Sequence, residues 1–249
     1  MSQERADTLV VLQGLAETRS RAQALILAGA VFCGEDRVVH KAGELLNTEV
    51  QLHLRHDPLP YVSRGGLKLA AALDAWQISP QGLVCLDVGA STGGFTDCLL
   101  QRGAVRVYAV DVGYGQLAWK LRQDARVCVL ERANIRTMPQ DSISSPVSLI
   151  VVDVSFISLH KVLPAALRFA APSVRLVLLM KPQFEVGRAH VGKGGIVKDA
   201  HLWEQVQNDV AALCSTLGFY DIHTMPSPIV GAKGNHEFLL TARRELSQG

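Results

Sequence analysis

The chain reads as an α/β protein: a mostly parallel sheet closed by a terminal antiparallel hairpin, with a small α+β domain in front of it. Two observations predict this. From Gly82 onward, apolar runs of strand length alternate with helix-length stretches, the pattern of βαβ units whose parallel strands are covered by helices on both faces. Before that, roughly sixty residues follow a different grammar of short helices and short strands. The length of 249 residues suits one large core and one small one.

In chain order, Leu9, Val10, Leu12 and Leu15 suit a short helix ending near Gly14. A second helix is capped by Thr18 or Ser20, runs through Leu27 and stops at Gly29. Val31–Cys33, a Gly34-Glu-Asp36 turn, Arg37–Val39 and Glu49–Leu54 read as short strands, and Asp57-Pro-Leu-Pro60 as a linker. Five strands of the sheet follow at Leu83–Asp87, Arg106–Asp111, Val127–Leu130, Ser148–Asp153 and Val174–Met180. Phe219–His223 and Glu237–Thr241 have no long helix between them and form the hairpin.

Composition narrows the functional classes. With 48% hydrophobic and 19% charged residues the chain is of ordinary globular type, and no apolar run nears the roughly 18 residues of a membrane span. No secretory signal is read at the N-terminus, and five cysteines without C-x-x-C spacing fit reduced thiols in a cytoplasmic protein. Net charge is +2, with six Arg/Lys against eight Asp/Glu up to residue 60 and nineteen against fifteen beyond it. Bulk charge therefore announces no nucleic-acid partner, and such a partner has to be argued from clustered side chains. His53-x-x-His56 is the one close histidine pair, and without a cysteine or acid at ligand spacing it supports no metal site.

The chemistry gathers at strand ends. Asp87-Val-Gly-Ala-Ser-Thr-Gly-Gly-Phe95 is an acid closing a strand, then glycines opening a helix; G-x-x-x-G-G differs from the G-x-G-x-x-G that cradles a pyrophosphate. Asp111 ends the next strand, where an acid accepts hydrogen bonds from ribose hydroxyls. A nucleoside cofactor with a cationic end satisfies both acids, and S-adenosylmethionine is such a molecule; a plain tight turn and a helix N-cap are the other readings of the glycines and of Asp111. Asp153 and Lys181 close the fourth and fifth strands, and since neighbouring parallel strands lie roughly 4.8 Å apart the two side chains meet if those strands are adjacent. Lys181 then accepts a hydroxyl proton while Asp153 orients it, with Lys68 and Glu237 fixing charges and substrate. A lysine serves as a base only when neutral, a state favoured by burial or by a second cation. A structural ion pair at a sheet end, and for Lys68 a solvated surface position, are the alternatives.

Six segments together resemble the TlyA family: YVSRGGLK at 61–68, DVGASTGGFTD at 87–97, AVDVGYGQL at 109–117, VVDVSFISL at 151–159, MKPQFE at 180–185 and GNHEF at 234–238. The resemblance implies a Rossmann-like S-adenosylmethionine-dependent methyltransferase sheet of FtsJ type at 67–245, a linker at 57–66 and an RNA-binding domain of the ribosomal-protein-S-four type at 1–56. It implies methyl transfer to a ribose 2′-hydroxyl (cytidine-type) of ribosomal RNA, with Lys68, Asp153, Lys181 and Glu237 catalytic. Cofactor contacts fall on Asp87, Gly89, Ser91, Thr92, Gly93, Phe95, Asp111, Gly113, Asn134 and Asp153. RNA contacts fall on Arg5, Arg19, Ser20, Arg21, Lys41, Arg64, Arg188 and Lys193, the last two in an irregular loop between Lys181 and Asp199 that reads, with Lys198, as an RNA-contacting lid. Ribosomal RNA or ribosomal subunits are the expected partners, with no membrane, metal or oligomer indicated. Ala6 and Phe32-Cys-Gly34 depart from the family pattern of the small domain. Two rival functions are a non-catalytic RNA-binding assembly factor, which has no need of two lysines on the cofactor rim, and a haemolysin, which needs a membrane-insertable segment that the sequence lacks.

Overall fold

The computed structural model describes residues 3–27, 29–34, 37–54, 59–231 and 234–246, which fall into two compact units divided between Leu59 and Pro60. In the first unit β1 (Gln3–Arg5) leads into α1 (Ala6–Leu12) and α2 (Arg19–Leu27), followed by β2 (Val31–Cys33), β3 (Arg37–Val38), β4 (Leu45–Asn47) and β5 (Leu52–Leu54). Strands β3, β2 and β5 make one antiparallel sheet and β1 pairs with β4. Leu9 and Val10 of α1 and Leu25 and Ile26 of α2 share a core with Val31, Leu46 and Leu52. Thr18 caps α2 by accepting from the Arg21 amide at 3.2 Å.

Strands β1 and β4 escape the sequence reading because three residues carry too little alternation to register. The strand expected over Glu49–Leu54 shrinks to Leu52–Leu54. Its first half is a turn in which Asn47 accepts from the Glu49 amide with its side chain (3.1 Å) and from the Val50 amide with its carbonyl (3.0 Å). His56, Glu35, Asp36, Ala28 and the linker residues Asp57 and Pro58 lie outside the described residues.

The second unit runs α3 (Gly65–Ala75), β6 (Val84–Val88), α4 (Gly94–Gln101), β7 (Arg106–Val110), α5 (Trp119–Arg122), β8 (Val127–Leu130), β9 (Val147–Val152), α6 (Leu159–Ala166), β10 (Ala170–Met180), α7 (Pro182–Glu185), α8 (Ala200–Thr216), β11 (Tyr220–Pro226) and β12 (Phe238–Glu245). The seven-stranded sheet has the order β11-β12-β10-β9-β6-β7-β8, parallel from β10 to β8 and antiparallel at β12 and β11. Successive strand residues face opposite sides. On β9, Leu149 and Val151 pack with Cys85, Val107 and Val177 beneath α3 and α4, while Ile150 and Val152 pack with Leu86, Val110 and Leu178 beneath α6 and α8. Each fully buried side chain of this size contributes roughly 1.5–3 kcal/mol, so both faces hold the sheet.

That topology places the site. From β6 the chain moves outward through β7 and β8, then crosses back to β9 and β10 on the other side. The crevice at the carboxyl ends of β6 and β9, where Val88 is level with Val152, is the switch point at which open α/β sheets take ligands. The expected hairpin forms, and its second strand docks on β10 with Phe238 opposite Met180. Glu237 and Lys181 therefore leave adjacent strands at the same level. The segment after Lys181, expected to hold no element, contains α7 with Pro182 at its first position, where a missing amide hydrogen costs nothing. Glu185 ties that helix down by accepting from Ser158 Oγ (2.6 Å) and the Leu159 amide (2.9 Å).

Candidate active site

The loop after β6 is built from contacts within the protein. Gly89, at φ +88°, lets the backbone pass Asp153, whose carbonyl oxygen would stand 2.3 Å from a Cβ there. Its lack of a side chain serves the junction of the β6 and β9 loops. Asp87 is fully buried; one oxygen accepts from Thr96 Oγ1 at 2.6 Å and the other has no partner. Burial, with the nearby Asp153 and Asp111 charges, pushes its carboxyl up to about 7. Asp111 is held by the amides of Ser91 (2.8 Å) and Gly113 (2.7 Å), so it organises the loop it faces.

Two cavities adjoin at this crevice. The larger, about 490 Å³, is lined by Lys68, Asp153, Lys181 and Glu237 together, with Ser63, Arg64, Thr92, Phe95, Phe156 and Gln183 among its other walls. The smaller, about 330 Å³, is lined by Gly89, Asp111, Asn134, Arg136 and apolar Val110, Ile135 and Ile157. Ser91, Asp153 and Ser155 line both. Asp87, Gly93 and Gly113, also expected at the cofactor, do not line either cavity.

The four charged residues form two ion pairs. Lys68, buried in the first turns of α3, pairs with the buried Glu237, which corrects the alternative of a solvated surface lysine. Lys181 Nζ lies 2.5 Å from Asp153 Oδ1 without the alignment of a hydrogen bond, and donates a directed bond to Ser155 Oγ at 3.1 Å. Glu237 is set by its own turn. Asn235 accepts from the Val197 amide (3.2 Å) and donates to the Gly195 carbonyl (3.0 Å), while Trp203 Nε1 donates to the Val197 carbonyl (3.0 Å). A family model for FtsJ-like methyltransferases matches residues 61–244, the stretch that contains every one of these groups.

The chain belongs to the FtsJ-like methyltransferase family. Relatives include the 16S/23S rRNA (cytidine-2′-O)-methyltransferase TlyA of Mycobacterium tuberculosis, 45% identical over 98% of this chain and 91% of that one. Hemolysin A of Brachyspira hyodysenteriae is 43% identical over 94% of this chain and 98% of its own length. A solved structure from Streptococcus thermophilus, described as a candidate hemolysin, superposes with a TM-score of 0.76 at 44% identity, covering 98% of this chain and 90% of the other. Among the described residues no helix is long and apolar enough to cross a membrane.

In this FtsJ-like methyltransferase the residues expected to touch RNA fall into three groups. Arg5 and Arg19 are half-exposed but turned onto Asp7, a fully buried acid that accepts from Arg5 Nε (3.0 Å), Arg19 Nε (3.0 Å) and Gln23 Nε2 (2.8 Å). Those bonds, the one from Arg5 foremost, hold the Asp7 carboxyl below the usual carboxylate range. Ser20, Arg21, Lys41 and Lys193 are exposed, and Arg64 lies on the rim of the larger cavity. The side chain of Arg188 lies outside the described residues. The loop carrying Lys193 and Lys198 is bolted by Asn235 and Trp203, which argues against a freely swinging lid. No group of three or more His, Cys, Asp or Glu among the described residues is arranged to hold a metal; His53 stacks on Phe32 with ring centroids 5.8 Å apart.

Sequence reasoning missed Ser155, Gln183, Asn235 and Gly231. The segments VVDVSFISL, MKPQFE and GNHEF contain the first three, but as small polar residues on loops they have no periodicity to give them a direction.

Proposed function

We propose that this FtsJ-like methyltransferase moves a methyl group from S-adenosylmethionine to a ribose 2′-hydroxyl of ribosomal RNA. The observation that carries the reading is the meeting of two cavities at Asp153, with the Lys181 amine beside it. The smaller cavity fits the cofactor: apolar walls suit a purine, Asp111 suits a ribose diol and Asn134 offers an amide at the base. When bound, S-adenosylmethionine supplies a methyl on a sulfonium, whose C–S electron pair stays on sulfur as the new O–C bond forms.

The larger cavity receives the acceptor. Lys181, as the neutral amine, takes the hydroxyl proton, and Asp153 holds that amine in place and faces the cationic sulfur side. Lys68 and Glu237 neutralise each other at the cavity wall, which fixes the acceptor without drawing free anions into it. The rate would then depend chiefly on holding the acceptor oxygen in line with the methyl–sulfur bond, with the amine beside the hydroxyl. The named activity of the mycobacterial relative supports ribosomal RNA, and cytidine in particular, as substrate. Residues 1–56, as an S-four-type domain, would deliver it through Ser20, Arg21 and Lys41, with Arg64, Lys193 and Lys198 contributing from the catalytic unit.

The test is transfer of labelled methyl from S-adenosylmethionine to isolated ribosomal subunits, followed by digestion to nucleosides. Label in a 2′-O-methyl nucleoside is expected. Label on a base, or none on either subunit, would refute the assignment.

A further inference from the structure

Lys181 Nζ meets two protein oxygens, Asp153 Oδ1 at 2.5 Å in an ion pair without hydrogen-bond alignment and Ser155 Oγ at 3.1 Å in a directed hydrogen bond. Asp153 and Ser155 line both cavities, and Lys181 lines the larger. Ser155 is itself exposed, on the loop that leaves β9. A neutral amine nitrogen has two N–H bonds and one lone pair beyond its carbon. The directed bond to Ser155 Oγ takes one hydrogen, and the Asp153 carboxylate, in contact without the alignment of a hydrogen bond, repels the lone pair from its side, which leaves the lone pair the third direction on an amine that lines the larger cavity. Asp153 alone leaves the amine free to rotate about Cε–Nζ, presenting a hydrogen or the lone pair in turn.

We infer that Ser155 is the positioning residue of Lys181, fixing the rotation of its amine so that the lone pair, rather than an N–H, faces the acceptor hydroxyl. This rests on the reading of Lys181 as the base. After proton transfer the ammonium has three N–H groups, one still donated to Ser155, one on the side of the Asp153 carboxylate and the third donated to the newly formed ether oxygen, so the proton is accounted for without a further group. The loop geometry fits the role. The neighbouring Phe156 takes a left-handed backbone, φ +64°, and stacks on Phe184 of α7 with centroids 4.9 Å apart, which pins the β9 loop to the helix that follows Lys181.

The test uses the full chain at saturating S-adenosylmethionine with ribosomal subunits as acceptor. Ser155→Ala should lower kcat about tenfold, a modest part of the roughly 10²–10⁴-fold that a general base contributes. KM for the subunits, cofactor affinity and melting temperature should stay within error, and Ser155→Thr should restore most of the rate. In the Lys181→Ala background, Ser155→Ala should change the residual rate by less than twofold, because a residue acting through the amine has nothing left to orient. An unchanged kcat in Ser155→Ala, a loss confined to KM, or an independent tenfold loss in the Lys181→Ala background would each overturn the inference. A wild-type protein that labels no ribose would remove the base reading and the inference together; an active wild type matched by Ser155→Ala removes only the inference.

Discussion

The larger cavity holds Lys68, Glu237, Lys181 and Asp153 as two ion pairs, whereas the smaller is walled by Val110, Ile135 and Ile157 with Asp111 as its own carboxylate. Charges that pair with each other inside one cavity hold geometry rather than capture a ligand; an apolar wall with an unshared acid such as Asp111 suits a neutral ring and its hydroxyls. Rate and cofactor affinity should therefore separate by residue, and the shared Asp153 carboxylate should move both.

Asp153→Ala is the sharpest challenge to that division. Losing the shared carboxylate should lower kcat about 10³-fold and weaken cofactor binding as well, measured by steady-state rates and by calorimetric titration with S-adenosylmethionine. An effect on only one of the two would mean that the cavities do not meet in function.

Asp87 lies in neither wall, yet the acids of both cavities add to its upward shift. Its folded-state value near 7 exceeds the unfolded carboxylate value, so between about pH 4 and 7 the folded state holds a proton that the unfolded state has lost. Stability contributed by the neutral form is present at low pH and is lost as pH rises through that window. Asp87→Asn should accordingly gain stability relative to the wild type from pH 4 to 7, reaching a few kcal/mol, in urea unfolding across pH. A flat difference would show that Asp87 is ionised throughout.

Asp111→Ala should do the reverse of a rate defect. Cofactor affinity should fall about 10–100-fold, the scale of one or two charge-assisted hydrogen bonds, with kcat at saturation within about threefold. Gly231→Ala should be the smallest effect. A Cβ at Gly231 would lie 2.1 Å from Glu237 Oε1, so the carboxylate must move from Lys68; kcat should drop roughly tenfold with cofactor affinity unchanged.

Legibility in the sequence followed regularity. Strand ends are readable because apolar runs stop at them, so Asp153 and Lys181 could be placed at the ends of two strands that meet if adjacent, and the β9–β10 pairing supplies that adjacency and their 2.5 Å approach. The hairpin brought Glu237 level with Lys181 for the same reason. Loop directions were not readable. Ser155, Gln183 and Gly231 owe their places to turns that depend on φ values and neighbours, and Arg5 and Arg19 looked like free phosphate ligands because nothing in the spacing ties them to Asp7. The glycines of the β6 loop were legible as close-approach positions but not as to what approaches: at Gly89 it is the Asp153 carbonyl.

The most direct test of the central claim is a single-turnover measurement with Lys181→Ala, saturated with S-adenosylmethionine and mixed with ribosomal subunits. A base standing where the cavities meet predicts transfer slowed about 10³-fold while cofactor affinity stays within twofold of the wild type. Wild-type transfer by Lys181→Ala, or a loss fully explained by failure to bind cofactor, would contradict it.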